Sequence, residues 1–219
     1  MATKRTLTEA ETLEQYRVSF ENVGNQTEIA TIMAEFGFDE ASITTGKALY
    51  TKTRDAFDFN KKEDDETSET YINFTIAKEN LSKTYTLHRK KAKVIFRNDP
   101  NILNKLALTG SLPTSYIKWL EVVKKFYSVA IGNTAIETKL LRLKVTSTDL
   151  QNAVAEIAAL TSARAEYLRE KGESQNSTKS KDKAFGEIDD WMSEFYAVAK
   201  IALEDKPQLL ESLGKFVRS

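Results

Sequence analysis

One spacing governs how this 219-residue chain can fold: the stretch Ala92 to Leu106 recurs as Ala199 to Leu213, a constant offset of 107 in the numbering. Ala, Lys, Pro and two Leu coincide, and Val94/Ile201 and Ile102/Leu209 exchange one aliphatic side chain for another. The same offset pairs Leu13 with Leu120, Phe20 with Tyr127, Ile43 with Leu150, Tyr50 with Ile157 and Leu81 with Ile188. The pairs Gly24-Asn25 and Gly132-Asn133 slip by one position, as a loop permits. Self-similarity at a fixed period is the signature of one layout used more than once. The chain therefore reads as a tandem duplication with halves 1–109 and 110–219, meeting at Thr109-Gly110-Ser111.

Within each half the apolar period is helical. Phe74, Ala77, Leu81, Tyr85, His88, Ala92 and Ile95 follow at steps of three or four, and so do Ile188, Met192, Phe195, Ala199 and Ala202. Such steps place one apolar stripe on a helix. Ahead of them run Ile43, Gly46, Tyr50, Thr53 and Phe57 in the first half, and Leu150, Ala153, Ile157 and Leu160 in the second. Polar stretches at 60–69 and 171–183 separate the stripes, which predicts a helical hairpin with a solvated tip in each half. Thr8 and Glu11, and again Thr134 and Glu137, have the spacing of capping boxes, and Pro113 suits a first helical turn. Pro100 and Pro207 stop the long helices and open short ones. Only Lys144-Val145-Thr146 alternates like a strand. The expectation is an all-α fold of two pseudo-equivalent units whose long hairpins form an antiparallel bundle.

The residues that usually carry reaction chemistry are scarce. There is no Cys and a single His, so thiolate chemistry is out of reach and a multi-histidine metal site cannot be assembled. His88 lies on an apolar stripe, and its counterpart in the second half is Phe195, which marks it as a packed structural side chain. Glu63, Asp64, Asp65 and Glu66 lack the alternation and central Gly of a calcium loop and read as a solvated turn. No phosphate-binding Gly loop, nucleophile elbow or His-Glu-x-x-His motif occurs. The expectation is a non-enzymatic chain with no catalytic residue, no cofactor and no metal.

Charge narrows the partners. Thirty-two basic residues balance 32 acidic ones, which disfavours a dedicated nucleic-acid binder. Arg89, Lys90, Lys91 and Lys93 form the one basic patch able to meet phosphates, and their spread around a helix reads first as a solvated face. No apolar run approaches the roughly 18 residues of a membrane span, and nothing near Met1 reads as a signal peptide, so a cytoplasmic protein without membrane partners is expected. Residues 60–69 carry five acids against two Lys, whereas 171–183 carry Lys171, Lys179, Lys181 and Lys183 against two acids. Oppositely charged tips on a duplicated framework suggest a structural or scaffold protein that self-assembles into an oligomer or filament. The alternatives are a monomeric adaptor that binds another protein and, behind it, a nucleic-acid-binding accessory protein.

The segment Asp190-Trp191-Met192-Ser193-Glu194-Phe195, continued from Ala197 through Gly214, resembles the C-terminal segment of uncharacterised bacterial helical-bundle proteins. The resemblance implies a bacterial cytoplasmic setting and brings no activity, cofactor or site residue with it.

Overall fold

The computed structural model describes residues 7–214, and every regular element among them is a helix. In chain order these are α1 (Glu9–Asn25), α2 (Thr27–Glu35), α3 (Glu40–Ile95), α4 (Pro100–Lys105), α5 (Tyr116–Ile131), α6 (Thr134–Leu141), α7 (Ser147–Ala202) and α8 (Pro207–Ser212). The offset read from the sequence returns in these bounds. Glu9 and Tyr116, Thr27 and Thr134, Glu40 and Ser147, and Pro100 and Pro207 each open a helix, and every pair keeps the same spacing. Lys144-Val145-Thr146 forms no strand; it lies in the connection from α6 to α7, with Lys144 in the left-handed region at φ 54° and Val145 buried.

The helix starts show which capping signals act. Thr8 caps α1 as a full capping box: its amide donates to Glu11 Oε2 at 2.8 Å and the Glu11 amide donates to Thr8 Oγ1 at 3.2 Å. Thr134 does not cap α6. Asn133 does so instead, its Oδ1 accepting from the Ile136 amide at 3.1 Å. An Asx side chain one residue earlier reaches the orphan amide first, which leaves Thr134 inside the helix. Thr146 and Asp149 build a further capping box at the start of α7. Pro113 precedes α5 without entering it, whereas Pro100 and Pro207 occupy the first turns of α4 and α8.

The expected hairpin tips are absent. α3 and α7 are each one helix of 56 residues that runs through 60–69 and 171–183 without a turn. The physical reason is twofold. Residues 60–69 contain neither Pro nor Gly and are rich in Glu and Lys, which are good helix formers, so polarity there does not break the helix. Moreover, the inward positions in this region are polar. Thr53, Asn60 and Ser177 are buried, Asn60 Nδ2 donates to Ser177 Oγ at 3.0 Å and Thr178 Oγ1 at 3.1 Å, and Thr53 Oγ1 donates to the Ala184 carbonyl at 3.1 Å. A helix face that buries hydrogen-bonded hydroxyls and amides leaves no apolar periodicity to read.

The chain divides into two compact units, one made of residues up to 64 together with 173 onward, the other of residues 65–172. The first unit thus combines α1, α2 and the start of α3 with the end of α7 and α8, and the second combines α5, α6 and the start of α7 with the end of α3 and α4. Each unit takes the front of one sequence half and the back of the other.

In the first unit Phe20, Val23, Ile29, Met33 and Ile43 pack with Ile188, Met192, Phe195 and Leu203. Trp191 stacks on Phe195 with ring centroids 5.5 Å apart, and Phe38 meets both rings edge-on at 5.4 Å. Contacts from Thr53 to Ala184, Asn60 to Ser177 and Asp64 to Ser174 show the residue number on α7 falling as that on α3 rises.

In the second unit the counterpart positions are buried in turn. Tyr127, Ala130, Ile136, Leu140 and Leu150 pack with Leu81, Tyr85, Ala92 and Phe96. Phe74 stacks on Tyr167 at 6.1 Å, and the Arg164 guanidinium sits 4.2 Å from the centroid of Tyr116. Removing such apolar side chains from water is the main favourable contribution to folding, about 1.5–3 kcal/mol for each fully buried large residue.

Candidate functional site

The acidic residues singled out in the sequence lie on α3, not at a turn. Glu63 is 5% exposed and therefore buried. Asp64 is exposed and accepts from Ser174 Oγ at 2.6 Å. Asp65 is exposed and Glu66 half-buried. The expected solvated acidic tip is thus a stretch of helix with one buried carboxylate.

The lysines expected at the opposite tip lie on α7. Lys171, Lys179 and Lys183 are exposed, and Lys183 approaches Glu187 at 4.0 Å. Lys181 is largely covered and reaches Glu9 of α1, with its Nζ 2.6 and 2.7 Å from the two carboxylate oxygens. Both sets thus lie within continuous helices and not at the turns of helical hairpins.

The basic patch is partly spent on the backbone. Arg89 Nη2 donates to the Gly110 carbonyl at 2.9 Å and to the Leu108 carbonyl at 3.3 Å, which fixes the segment after α4. Lys91 Nζ reaches the Lys144 carbonyl at 3.3 Å, ahead of α7. Lys93 is half-buried and Lys90 alone is fully exposed. Arg89 and Lys91 thus satisfy loop carbonyl acceptors.

In the second unit a group of buried polar side chains surrounds His88. Its ring is 6% exposed, and Nδ1 lies 3.0 Å from Tyr127 Oη, with the two rings edge-to-face at 5.9 Å. Burial lowers the His88 pKa, an effect opposed in part by Asp149 and reinforced by Lys91. The imidazole is accordingly neutral at pH 7. Burial raises the pKa of Tyr127, with Glu156 and Tyr85 adding to the effect. Glu156 Oε1 accepts from Thr84 Oγ1 at 3.3 Å. Hydrogen bonds to Thr146, backbone first and side chain second, hold the Asp149 carboxyl below the usual range.

The corresponding region of the first unit is dominated by aromatic carbon. Phe20 and Phe195 are the counterparts of Tyr127 and His88, and both are buried. Its hydroxyls instead secure the end of the described chain: Ser19 Oγ lies 2.6 Å from Tyr196 Oη and 2.8 Å from the Leu213 carbonyl. Tyr16 Oη donates to Asp189 Oδ1 at 2.7 Å. Burial raises both phenols, and Tyr196 is pushed up to about 12.

A concavity of about 670 Å³ opens on the first unit between α1, α2 and the start of α3, lined by Val23, Ala30, Ala34, Phe38, Ile43 and Lys47 among others. Gly24, Ala30 and Ala34 leave it open, and the counterparts of Ala30 and Ala34 in the second half are the larger Glu137 and Leu141.

Sequence reasoning identified His88 as packed but missed its hydroxyl partner. The signal was present, because Tyr127 is the polar member of the Phe20/Tyr127 pair at the same offset. No family model matches the chain, and comparison with curated proteins and with solved structures returned no match. No helix among the described residues is long and apolar enough to cross a membrane.

Proposed function

We propose that the chain is a non-enzymatic structural or scaffold protein, a tandem duplication packed as an antiparallel helical bundle, which self-assembles through its helical surfaces. The observation that supports this reading is the constant spacing between the helix starts of its two halves. A duplicated chain is a fused pseudo-dimer that offers related outer faces more than once, the condition under which like surfaces meet in closed or extended assemblies. The enclosure of His88 against Tyr127 accords with a packing role for the one residue type most often used in acid–base chemistry.

Size-exclusion chromatography with light scattering, followed by negative-stain imaging, tests the proposal. Oligomers or filaments at concentrations above micromolar support it. A strictly monomeric profile overturns it and favours the monomeric adaptor.

A further inference from the structure

The outer face of α3 in the second unit carries large apolar side chains that its own chain leaves uncovered. Ile72 and Val94 are each 56% exposed, and Ile76 and Leu87 are each 51% exposed. The step from Ile76 to Leu87 is close to three full turns, so both lie on one straight line along the helix. Together with Glu79 and Lys83 they occupy a sector of about 80° at roughly 100° per residue, opposite the core stripe of Leu81, Tyr85 and Ala92.

This face is not a general property of the framework. The counterparts on α7 are Lys179 for Ile72, Lys183 for Ile76 and Glu194 for Leu87, and only Val94 keeps an aliphatic counterpart in Ile201. The matching surface of the first unit is therefore charged, as a solvated helix face is expected to be.

We propose that the occupant of the apolar face is a second copy of the same face, packed helix against helix in opposite directions about a twofold axis level with residues 81–82. The inference rests on the self-assembly reading and specifies its surface and symmetry. The charges select this arrangement. Glu79 and Lys83 are both exposed, and neither makes an ion pair with any described residue, although other helical charges at similar spacing do, such as Arg54 with Asp58. The antiparallel pairing sets Ile76 against Leu87 of the second copy and Glu79 against its Lys83, and each contact occurs twice. A parallel, in-register pairing sets Glu79 against Glu79 and Lys83 against Lys83, which like-charge repulsion disfavours. The Lys90 stem lies toward Ile72 of the other copy, where its methylenes cover apolar surface while its ammonium stays in water. The same patch serves both partners, so the contact closes as a dimer instead of running on as a fibre.

Light scattering on the full chain tests this. The expected wild-type species is a dimer, and I76E/L87E is expected to be a monomer whose helical circular dichroism is unchanged, because both side chains are exposed. E79K alone and K83E alone each weaken association, roughly tenfold for a reversal that is felt twice across the axis. The double reversal E79K/K83E restores it, because each pair is re-formed with opposite polarity. Persistence of the dimer in I76E/L87E overturns the inference and leaves self-assembly standing through another surface. Failure of E79K/K83E to recover overturns the antiparallel pairing. A monomeric wild type overturns the self-assembly reading, and this inference with it.

Discussion

Gly46 of α3 lies directly beneath the indole of Trp191 on α7: a Cβ built on this glycine would stand 2.5 Å from Trp191 Cη2, 2.6 Å from Cζ2 and 2.8 Å from Phe20 Cε1. The ring cannot step aside freely, because Phe195 stacks on one of its faces and Phe38 meets it edge-on. Gly46→Ala therefore overpacks the first unit and is expected to cost about 1–3 kcal/mol, despite the better helix propensity of alanine. The counterpart of Gly46 in the second half is Ala153, and that of Trp191 in the first is Thr84, so there a methyl replaces the room given to an indole. Urea unfolding of Gly46→Ala measures the effect, and an unchanged midpoint would show that the indole moves.

His88 and Tyr127 should behave as one unit in a double-mutant cycle. His88→Phe leaves the buried Tyr127 hydroxyl without its partner at 3.0 Å, which is expected to cost about 1–3 kcal/mol. Removing that hydroxyl as well, in His88→Phe with Tyr127→Phe, returns part of the loss and recreates the Phe pair that the first unit carries at 195 and 20. Simple additivity in urea unfolding would contradict a direct bond.

The same histidine makes stability depend on pH in one direction. Its folded pKa is lowered by burial, so as pH falls below neutral the unfolded chain takes up a proton more readily than the folded chain does. Stability from this group is complete above the unfolded value of about 6.5 and declines as pH falls through it. Wild type should lose more stability between pH 7 and 5.5 than His88→Phe does. Parallel pH profiles would mean that the ring takes up its proton without unfolding.

At the start of α6, Asn133→Ala should cost about 1 kcal/mol and Thr134→Ala close to nothing, because the Asn133 side-chain Oδ1 caps the Ile136 amide. At α7 the weight falls on threonine: the Thr146 amide and hydroxyl donate to Asp149 at 2.9 and 2.7 Å, and Thr146→Ala should cost a comparable amount. Thermal melts of the three variants rank these effects.

Much of the framework was legible in the sequence, and the misreadings have local causes. The offset visible in Ala92/Ala199 and Leu106/Leu213 is the offset between the helix starts, and Pro100 and Pro207 open short helices as their ring geometry dictates. The polar run at 60–69 resembled a turn because its inward residue Asn60 is polar, and a sequence does not display that its hydrogen bonds are made on α7. Helical periodicity also says which positions are equivalent without saying which copies meet. Leu81 has the same stripe position whether it packs with its own front helices or with α5, and only the three-dimensional arrangement places it beside Tyr127 and Leu140. The exposed face at Ile72, Ile76 and Leu87 needed the structure too, since its residues interrupt no apolar run.

The division into units predicts how fragments behave. Residues 65–172 hold one unit in an unbroken stretch, and this fragment should unfold cooperatively on its own. Residues 1–109 hold the front of one unit and the back of the other, so they should fold only when residues 110–219 are supplied. Circular dichroism of the separate and mixed fragments decides this, and a cooperative, monomeric 1–109 would contradict the division.

The nesting of one unit inside the chain of the other imposes an order on events at the ribosome. Phe20, Ile29 and Met33 are translated before residues 65–172 and their partners Ile188, Met192 and Phe195 after them, so the first core waits while the middle of the chain can complete the second. Once it has done so, the stretch from 65 to 172 no longer forms an open loop. Closing a flexible loop of that length costs about 4 kcal/mol by the logarithmic rule, and the folded middle has already met that cost when α7 returns to place Ser174 beside Asp64. The second unit is thus expected to fold ahead of the first, whose front helices find their packing partners only when residues 173 onward have been made.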